Sequence, residues 1–291
     1  IYGGASMEYY RQYHSLLFSI AYRMLGSFQD AEDIIQELFA DLQEKDIGQI
    51  DHIQAYLTKS ITNRCINELQ SARKKREVYI GEWLPEPQVA LSAQIPAEYV
   101  EEKEKVSYAF LVVMSRLNPV ERAVLMFREV FGYHYKEISS IIGKSEANCR
   151  QIHSRLKQKL NEDISVFSQP VEEQQLAQLF IESAKTGNVE EFSKKLIEDA
   201  VLYTDGGGKV RSALRPIYGK SRIYAFFTGV VSKGSFSGRF MPVDINDQKG
   251  VLIMKNNRPA YAVCFAWNPE GDSVKNVFIV SNPDRLKHIK I

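Results

Sequence analysis

Apolar residues recur mainly at helical spacing up to about residue 198 and mainly at strand spacing from about residue 200, and this change of period limits the fold more than any other feature. Leu16, Leu17, Ile20 and Met24 recur at three and four, as do Ile34, Ile35, Leu38, Phe39 and Leu42, while Ile53, Leu57, Ile61, Cys65 and Leu69 repeat every four. The spacing predicts helices over 8–45, broken at Gly26 with Asp30 as the second N-cap, and over 51–76. Segment 77–104 breaks the pattern, and Pro96 is expected to open a charged helix. Helices then resume at about 106–116, 119–130, 134–142 and 145–160. Beyond Pro170, helices are expected at 171–186, 188–198 and 221–231, with strands at 200–204, 236–245, 250–255, 259–267 and 273–281 and a helical close over 283–290. An antiparallel meander preceded by helices describes an α+β unit behind two all-α units.

The 291 residues exceed one average domain, and 44% hydrophobic with 25% charged residues supplies ample core. No apolar run approaches the roughly 18 residues of a membrane span, and the opening lacks the layout of a secretion signal, so a cytoplasmic protein is expected. Residues 1–6 precede the first methionine and are expected to be an added remnant outside the fold, with the natural start at Met7. Cys65, Cys149 and Cys264 lie far apart among apolar neighbours, which predicts buried reduced thiols rather than ligands. Polar contacts are expected for His134 and His153. Neither metal nor cofactor is predicted.

Charge is strongly segregated. Residues 29–46 carry Asp30, Glu32, Asp33, Glu37, Asp41, Glu44 and Asp46 against Lys45 alone, whereas 52–76 carry Lys59, Arg64, Arg73, Lys74, Lys75 and Arg76 against Glu68. In a chain of net charge +1, such neighbouring fields point to two different partners. The basic helix, with Tyr56, Lys59, Asn63 and Asn67 opposite its apolar stripe, can track phosphates and cradle unpaired bases. Its terminal basic cluster equally suits the helix dipole.

Residues 133–160 have the pattern of a helix-turn-helix. Ile138, Ile141 and Ile142 precede Gly143-Lys144-Ser145, and Ser145 can cap a helix with core positions Cys149, Ile152, Leu156 and Leu160. Its other face offers Arg150, Gln151, Ser154, Arg155 and Gln158, flanked by Lys157 and Lys159. Arginine and glutamine pair bidentately with guanine and adenine edges, and serine and lysine suit phosphates, so DNA binding is favoured over a solvated bundle helix.

Ala21-Tyr22-Arg23-Met24-Leu25-Gly26 and Asp30-Ala31-Glu32-Asp33-Ile34-Ile35-Gln36-Glu37 resemble region two of bacterial extracytoplasmic-function sigma factors, and the helix-turn-helix resembles their region four. Trp83-Leu84-Pro85-Glu86-Pro87, Asp205-Gly206-Gly207-Gly208-Lys209 and Asn282-Pro283-Asp284-Arg285-Leu286 resemble the signatures of the subgroup with a fused SnoaL-like, nuclear-transport-factor-two-like extension. The resemblance implies a multidomain chain: an all-α region two over 7–77, a linker over 78–104, an all-α region four over 105–165 and a cone-shaped α+β domain over 171–291. It further implies that Asp30, Asp33, Gln36 and Glu37 dock on the clamp of the RNA polymerase largest subunit. Tyr56, Lys59, Asn63, Arg64 and Asn67 would then act at the minus-ten element of promoter DNA, and Arg150, Gln151, Ser154, Arg155 and Lys157 at the minus-thirty-five element. The chain departs from the subgroup pattern with Asn67, Glu68 and Gln70 in the third helix, Glu82 before the Trp, and Arg285.

For the extension, Trp83, Pro85, Pro87, Asp205, Gly206, Gly207, Gly208, Lys209, Asn282, Pro283 and Asp284 are expected to form a regulatory interface with the sigma body or linker. A non-enzymatic sigma factor is the expectation, with an unknown small molecule or protein signal as a further partner class at the C-terminal domain. Two rival classes remain at this point. One is a one-component helix-turn-helix regulator with a ligand-binding C-terminal domain. The other is an enzyme using Asp205, Asp244 and His288.

Overall fold

The computed structural model describes residues 4–43, 50–76, 79–90, 106–160 and 173–290. The predicted opening of a charged helix at Pro96 lies outside them. The chain divides into two compact units: Ile1–Glu77, Tyr99–Glu104 and Val113–Leu160 form one, and Val78–Glu98, Lys105–Val112 and Asn161–Ile291 the other.

In the first unit, α1 (Gly4–Leu25), α2 (Phe28–Gln43) and α3 (Ile53–Arg76) pack through the expected stripes. Leu17, Ile20, Met24, Ile35, Leu38, Phe39, Leu57, Ile61 and Cys65 are fully or almost fully buried. Helix α1 begins at Gly4. One expectation needs correction. Helix α2 is capped by Ser27, whose Oγ accepts from the Asp30 amide at 3.3 Å, because Phe28 already starts the helix and leaves Asp30 in its first turn.

A short strand β1 (Val89–Ala90) precedes α4 (Tyr108–Ser115), which precedes α5 (Pro119–Leu125). Asn118 caps α5, its Oδ1 accepting from the Glu121 amide at 2.9 Å while Glu121 accepts from the Asn118 amide at 3.1 Å. A π-helical turn, Met126–Val130, extends α5. Then come α6 (Tyr135–Ile142) and α7 (Glu146–Lys159). Buried Arg122 on α5 donates through Nη1 to the Met24 carbonyl near the end of α1, where helix carbonyls lack intrahelical partners.

The second unit is built on a seven-stranded sheet in the order β1-β4-β5-β6-β7-β2-β3. Helices α8 (Glu173–Thr186), α9 (Glu190–Lys194) and α10 (Lys220–Ser232) accompany β2 (Leu196–Asp205), β3 (Ile217–Tyr218), β4 (Arg239–Ile245), β5 (Gln248–Lys255), β6 (Arg258–Trp267), β7 (Val274–Val280) and the terminal turn α11 (Pro283–Leu286). One sheet face buries Val251, Val263, Phe265 and Ile279 with Phe180, Phe192, Ile223 and Phe227 of the helices. The opposite cluster joins Tyr203, Leu252, Cys264 and Phe278 to linker residue Leu84 and to Tyr108, Ala109 and Val112 of α4.

The meander is antiparallel from β4 to β7, with tight turns at Asn246-Asp247 and Asn256-Asn257, all four at positive φ. However, β2 pairs with β7 in parallel, because α10 and the hairpins return the chain between them. The helix expected over 188–198 stops at Lys194, and strand begins at Leu196. The two-residue strands β1 and β3 are too short for a period to reveal. Strand β1 extends the sheet at its β4 edge, Val89 facing Ile245 and Ala90 facing Asp244.

Candidate nucleic-acid interface and linker clasp

Helix α7 is held by a compact turn. Gly143 sits at φ 68° and its amide reaches the Ser139 carbonyl at 3.0 Å, while Ser145 Oγ accepts from the Asn148 amide at 3.2 Å. Cys149, Ile152 and Leu156 are buried as expected. His153 is buried with them, with Nε2 2.6 Å from Glu129 Oε1 and Nδ1 2.9 Å from the Tyr135 hydroxyl, locking α7 to the helices before it. The face bearing Arg150, Gln151, Ser154, Arg155 and Lys157 is exposed. Arg150 pairs with Glu146 and stacks 4.7 Å from the Tyr135 ring, so its guanidinium is positioned in advance.

On α2, Asp30, Asp33, Gln36 and Glu37 are all exposed on the face opposite the core stripe. The candidates on α3 divide into two groups. Lys59 and Asn67 are exposed, whereas Arg64 turns back to α2, pairing with Asp41 and approaching Glu37 at 3.8 Å. Half-buried Asn63 donates to the Ile141 carbonyl of α6 at 3.4 Å, and Tyr56 and Lys59 share a groove with Tyr133, Glu137 and Ser140. The side chains of the terminal cluster Arg73, Lys74, Lys75 and Arg76 lie outside the described residues.

The candidates in the second unit converge on Asp205, whose residue is 1% exposed. Its carboxylate accepts from the Tyr79 hydroxyl at 2.6 Å, the Leu84 amide at 3.0 Å and the Gly207 amide at 2.9 Å. Its carbonyl accepts the Ser281 and Asn282 amides, and Asn282 Nδ2 closes the ring on the Tyr79 hydroxyl at 2.8 Å. Burial raises the Asp205 carboxyl above the usual carboxylate range, although these donors act in the opposite sense. The Tyr79 phenol is pushed up to about 12 by burial and by Asp205, so it remains a donor at neutral pH.

The glycines have a steric reason. A Cβ on Gly207, which sits at φ 59°, would fall 2.2 Å from the Asn282 amide nitrogen, and one on Gly206 would fall 2.1 Å from the Val210 carbonyl oxygen. Gly208 lies against Ile80, and Lys209 pairs with Asp284 at 2.5 Å on the surface. Pro283 opens α11, capped by Asn282.

Around this ring the linker is fixed along its described length. Pro85 and Pro87 are buried, their carbonyls accepting from the Tyr108 hydroxyl at 2.7 Å and from His288 Nε2 at 2.9 Å. Glu86, 4% exposed, faces Arg285 at 3.4 Å, and that guanidinium lies 4.7 Å over the Trp83 ring. Glu86 and Arg285 fall inside the two signature strings without having been singled out, whereas nothing in the sequence marked Tyr79 and Tyr108 as partners of this ring.

The residues proposed for acid–base chemistry do not meet. Asp205 bonds the linker, Asp244 pairs with Lys249 at 2.5 Å, and His288 bonds Pro87, and none of them lines the cavity beside α10. All three cysteines are buried free thiols, raised by desolvation. Among the described residues no cluster suited to a metal is present, and no helix is long and apolar enough to cross a membrane.

Comparison with known proteins gives a consistent picture. The Sigma-70 region 2 family matches residues 9–75 and the Sigma-70 region 4 family matches residues 108–160. The ECF RNA polymerase sigma factor SigJ of Mycobacterium tuberculosis is 31% identical over 221 residues, spanning 75% of this chain and 70% of that protein. ECF RNA polymerase sigma factor SigG of the same organism is 29% identical over 171 residues, 51% of this chain and 45% of that one. The crystal structure of SigJ superposes with a TM-score of 0.75 over 97% of this chain and 98% of that one at 24% identity, so the fold is shared along its length.

Proposed function

The chain belongs to the extracytoplasmic-function RNA polymerase sigma factors, which bind core polymerase and promoter DNA, and from that premise we propose which surface meets which partner and how the extension regulates them. The acidic face of α2, through Asp30, Asp33, Gln36 and Glu37, docks on the clamp of the largest polymerase subunit. Tyr56, Lys59, Asn63, Arg64 and Asn67 of α3 act at the minus-ten element. Arg150, Gln151, Ser154 and Arg155 of α7 read the minus-thirty-five element in the major groove, with Lys157 on phosphate.

Distance supports a regulated rather than a ready state. Elements centred at minus ten and minus thirty-five lie about 85 Å apart at about 3.4 Å per base pair. A compact body of the first unit's size is about 40 Å across. While Asn63 bonds Ile141, that body cannot reach both elements, so regions two and four must separate. The linker that has to lengthen is the one held by the extension.

The single observation carrying the regulatory half is the buried Asp205 carboxylate bonded to Tyr79 and Leu84 of that linker. In this account the Asp205–Lys209 turn and the Asn282–Asp284 cap form a clasp on Trp83, Pro85 and Pro87 that governs how far the two DNA-binding regions part. Reconstitution with core polymerase tests both halves. Asp33→Lys with Glu37→Lys is expected to lower core capture at an unchanged melting temperature, and Asp205→Ala to alter transcription while core capture persists. Unchanged capture would refute the docking surface, and unchanged transcription would refute the clasp.

A further inference from the structure

The second unit carries a half-open cavity of about 770 Å³ between α10, the ends of β2, β6 and β7, and the loop over 210–213. This is within the size range of small-molecule sites. Phe226, Val230, Phe236 and Ile279 give it an apolar body. Its charged lining is of one sign: Arg211, Lys233 and Lys255, with no Asp or Glu. Lys255 is fixed in place, Nζ donating to the Ser235 carbonyl at 2.7 Å and lying 5.2 Å over the Tyr261 ring. Arg211 and Lys233 are exposed and, among the described residues, pair with no acid. Burial raises the Tyr261 phenol, which keeps it a neutral donor on the same wall.

Gly229 gives a second, independent indication. An interior glycine weakens a helix, yet a Cβ added at Gly229 in the middle of α10 meets nothing within 4 Å. Crowding therefore does not require glycine at this position. Gly229 lines the cavity, so a larger side chain there has room to enter it.

We propose that this cavity is a binding site for a small amphipathic anion, a carboxylate with an apolar body, whose head meets Lys255, Arg211 and Lys233 and whose body lies against the phenylalanines. A cation would meet three like charges, whereas a carboxylate gains charge-assisted hydrogen bonds that a neutral molecule cannot make. Thr204 and Ser281 line the same cavity and directly precede Asp205 and Asn282, so the cavity borders both strand ends that carry the clasp.

Calorimetric titration of the full chain with octanoate, octan-1-ol and octylammonium tests the site. Octanoate is expected to bind about tenfold more tightly than the alcohol, the scale of one hydrogen-bonded charge, and octylammonium not to bind. Arg211→Glu with Lys233→Glu is expected to weaken octanoate about tenfold and leave the alcohol unchanged. Gly229→Phe, which fills the cavity and favours the helix, should abolish binding of both without lowering the melting temperature. Equal affinity for acid and alcohol, no octanoate binding to the unaltered chain, or undiminished binding to Gly229→Phe would each overturn the site. Binding is read without polymerase, so failure here leaves the clasp untouched.

Discussion

On α7, Arg155 and Lys157 stand in water, whereas in the clasp Asp205, Glu86 and Asn282 are almost wholly buried, with Asp205 bonded to a tyrosine 126 residues away in the chain. Exposed charges cost little to keep and remain available to an external partner. Buried polar groups are committed to the partners they already have, since losing one strands the other without water. The first surface is thus built for recognition and the second for holding, and substitutions should separate the two.

Asp205→Ala has the largest expected effect on stability. It leaves the Tyr79 hydroxyl and the Leu84 amide without their acceptor, a loss of about 3 kcal/mol, to be read by urea unfolding of the full chain. Gly207→Ala should follow at about 2 kcal/mol, because the new methyl must displace the Asn282 amide and occupy a left-handed backbone. Arg155→Ala reverses the pattern, with melting unchanged but promoter affinity about tenfold to a hundredfold weaker, measured by electrophoretic mobility shift at fixed salt. Lys209→Ala breaks only a surface pair with Asp284, and the melting temperature should stay within about 1 °C.

The pH dependence sharpens the same contrast. Because the Asp205 carboxyl is raised on folding, its contribution is fully present below its unfolded value near pH 4 and is lost as pH rises through the folded value. The unaltered chain should therefore gain stability over Asp205→Asn on acidification from pH 7 towards pH 4. A difference independent of pH would contradict the burial account.

The two regions also differed in how far they could be read from sequence. Helix-turn-helix signals are local: Gly143 at positive φ, the Ser145 cap and the stripe Cys149, Ile152, Leu156 all lie within a few turns. His153, one residue off that stripe, was expected only to make a polar contact, because its partner Glu129 lies beyond the motif. In the clasp the glycine turn and Asn282 were visible, but Tyr79 sits in a segment without periodicity and is joined to Asp205 only by the fold. Likewise, the alternation in β2 and β7 is the same for parallel and antiparallel pairing, so the parallel pair was not legible. On α3, Arg64 and Asn63 turn towards Asp41 and Ile141, contacts to other helices that spacing along one helix does not reveal.

The most direct test is reconstituted transcription from a promoter series in which the spacer between the two elements is varied one base pair at a time. With the clasp intact, activity should peak sharply at one spacing. Asp205→Ala and Gly207→Ala should broaden that peak while core capture is kept. An identical spacing profile for the unaltered chain and both variants would contradict the claim that the extension governs the separation of the DNA-binding regions.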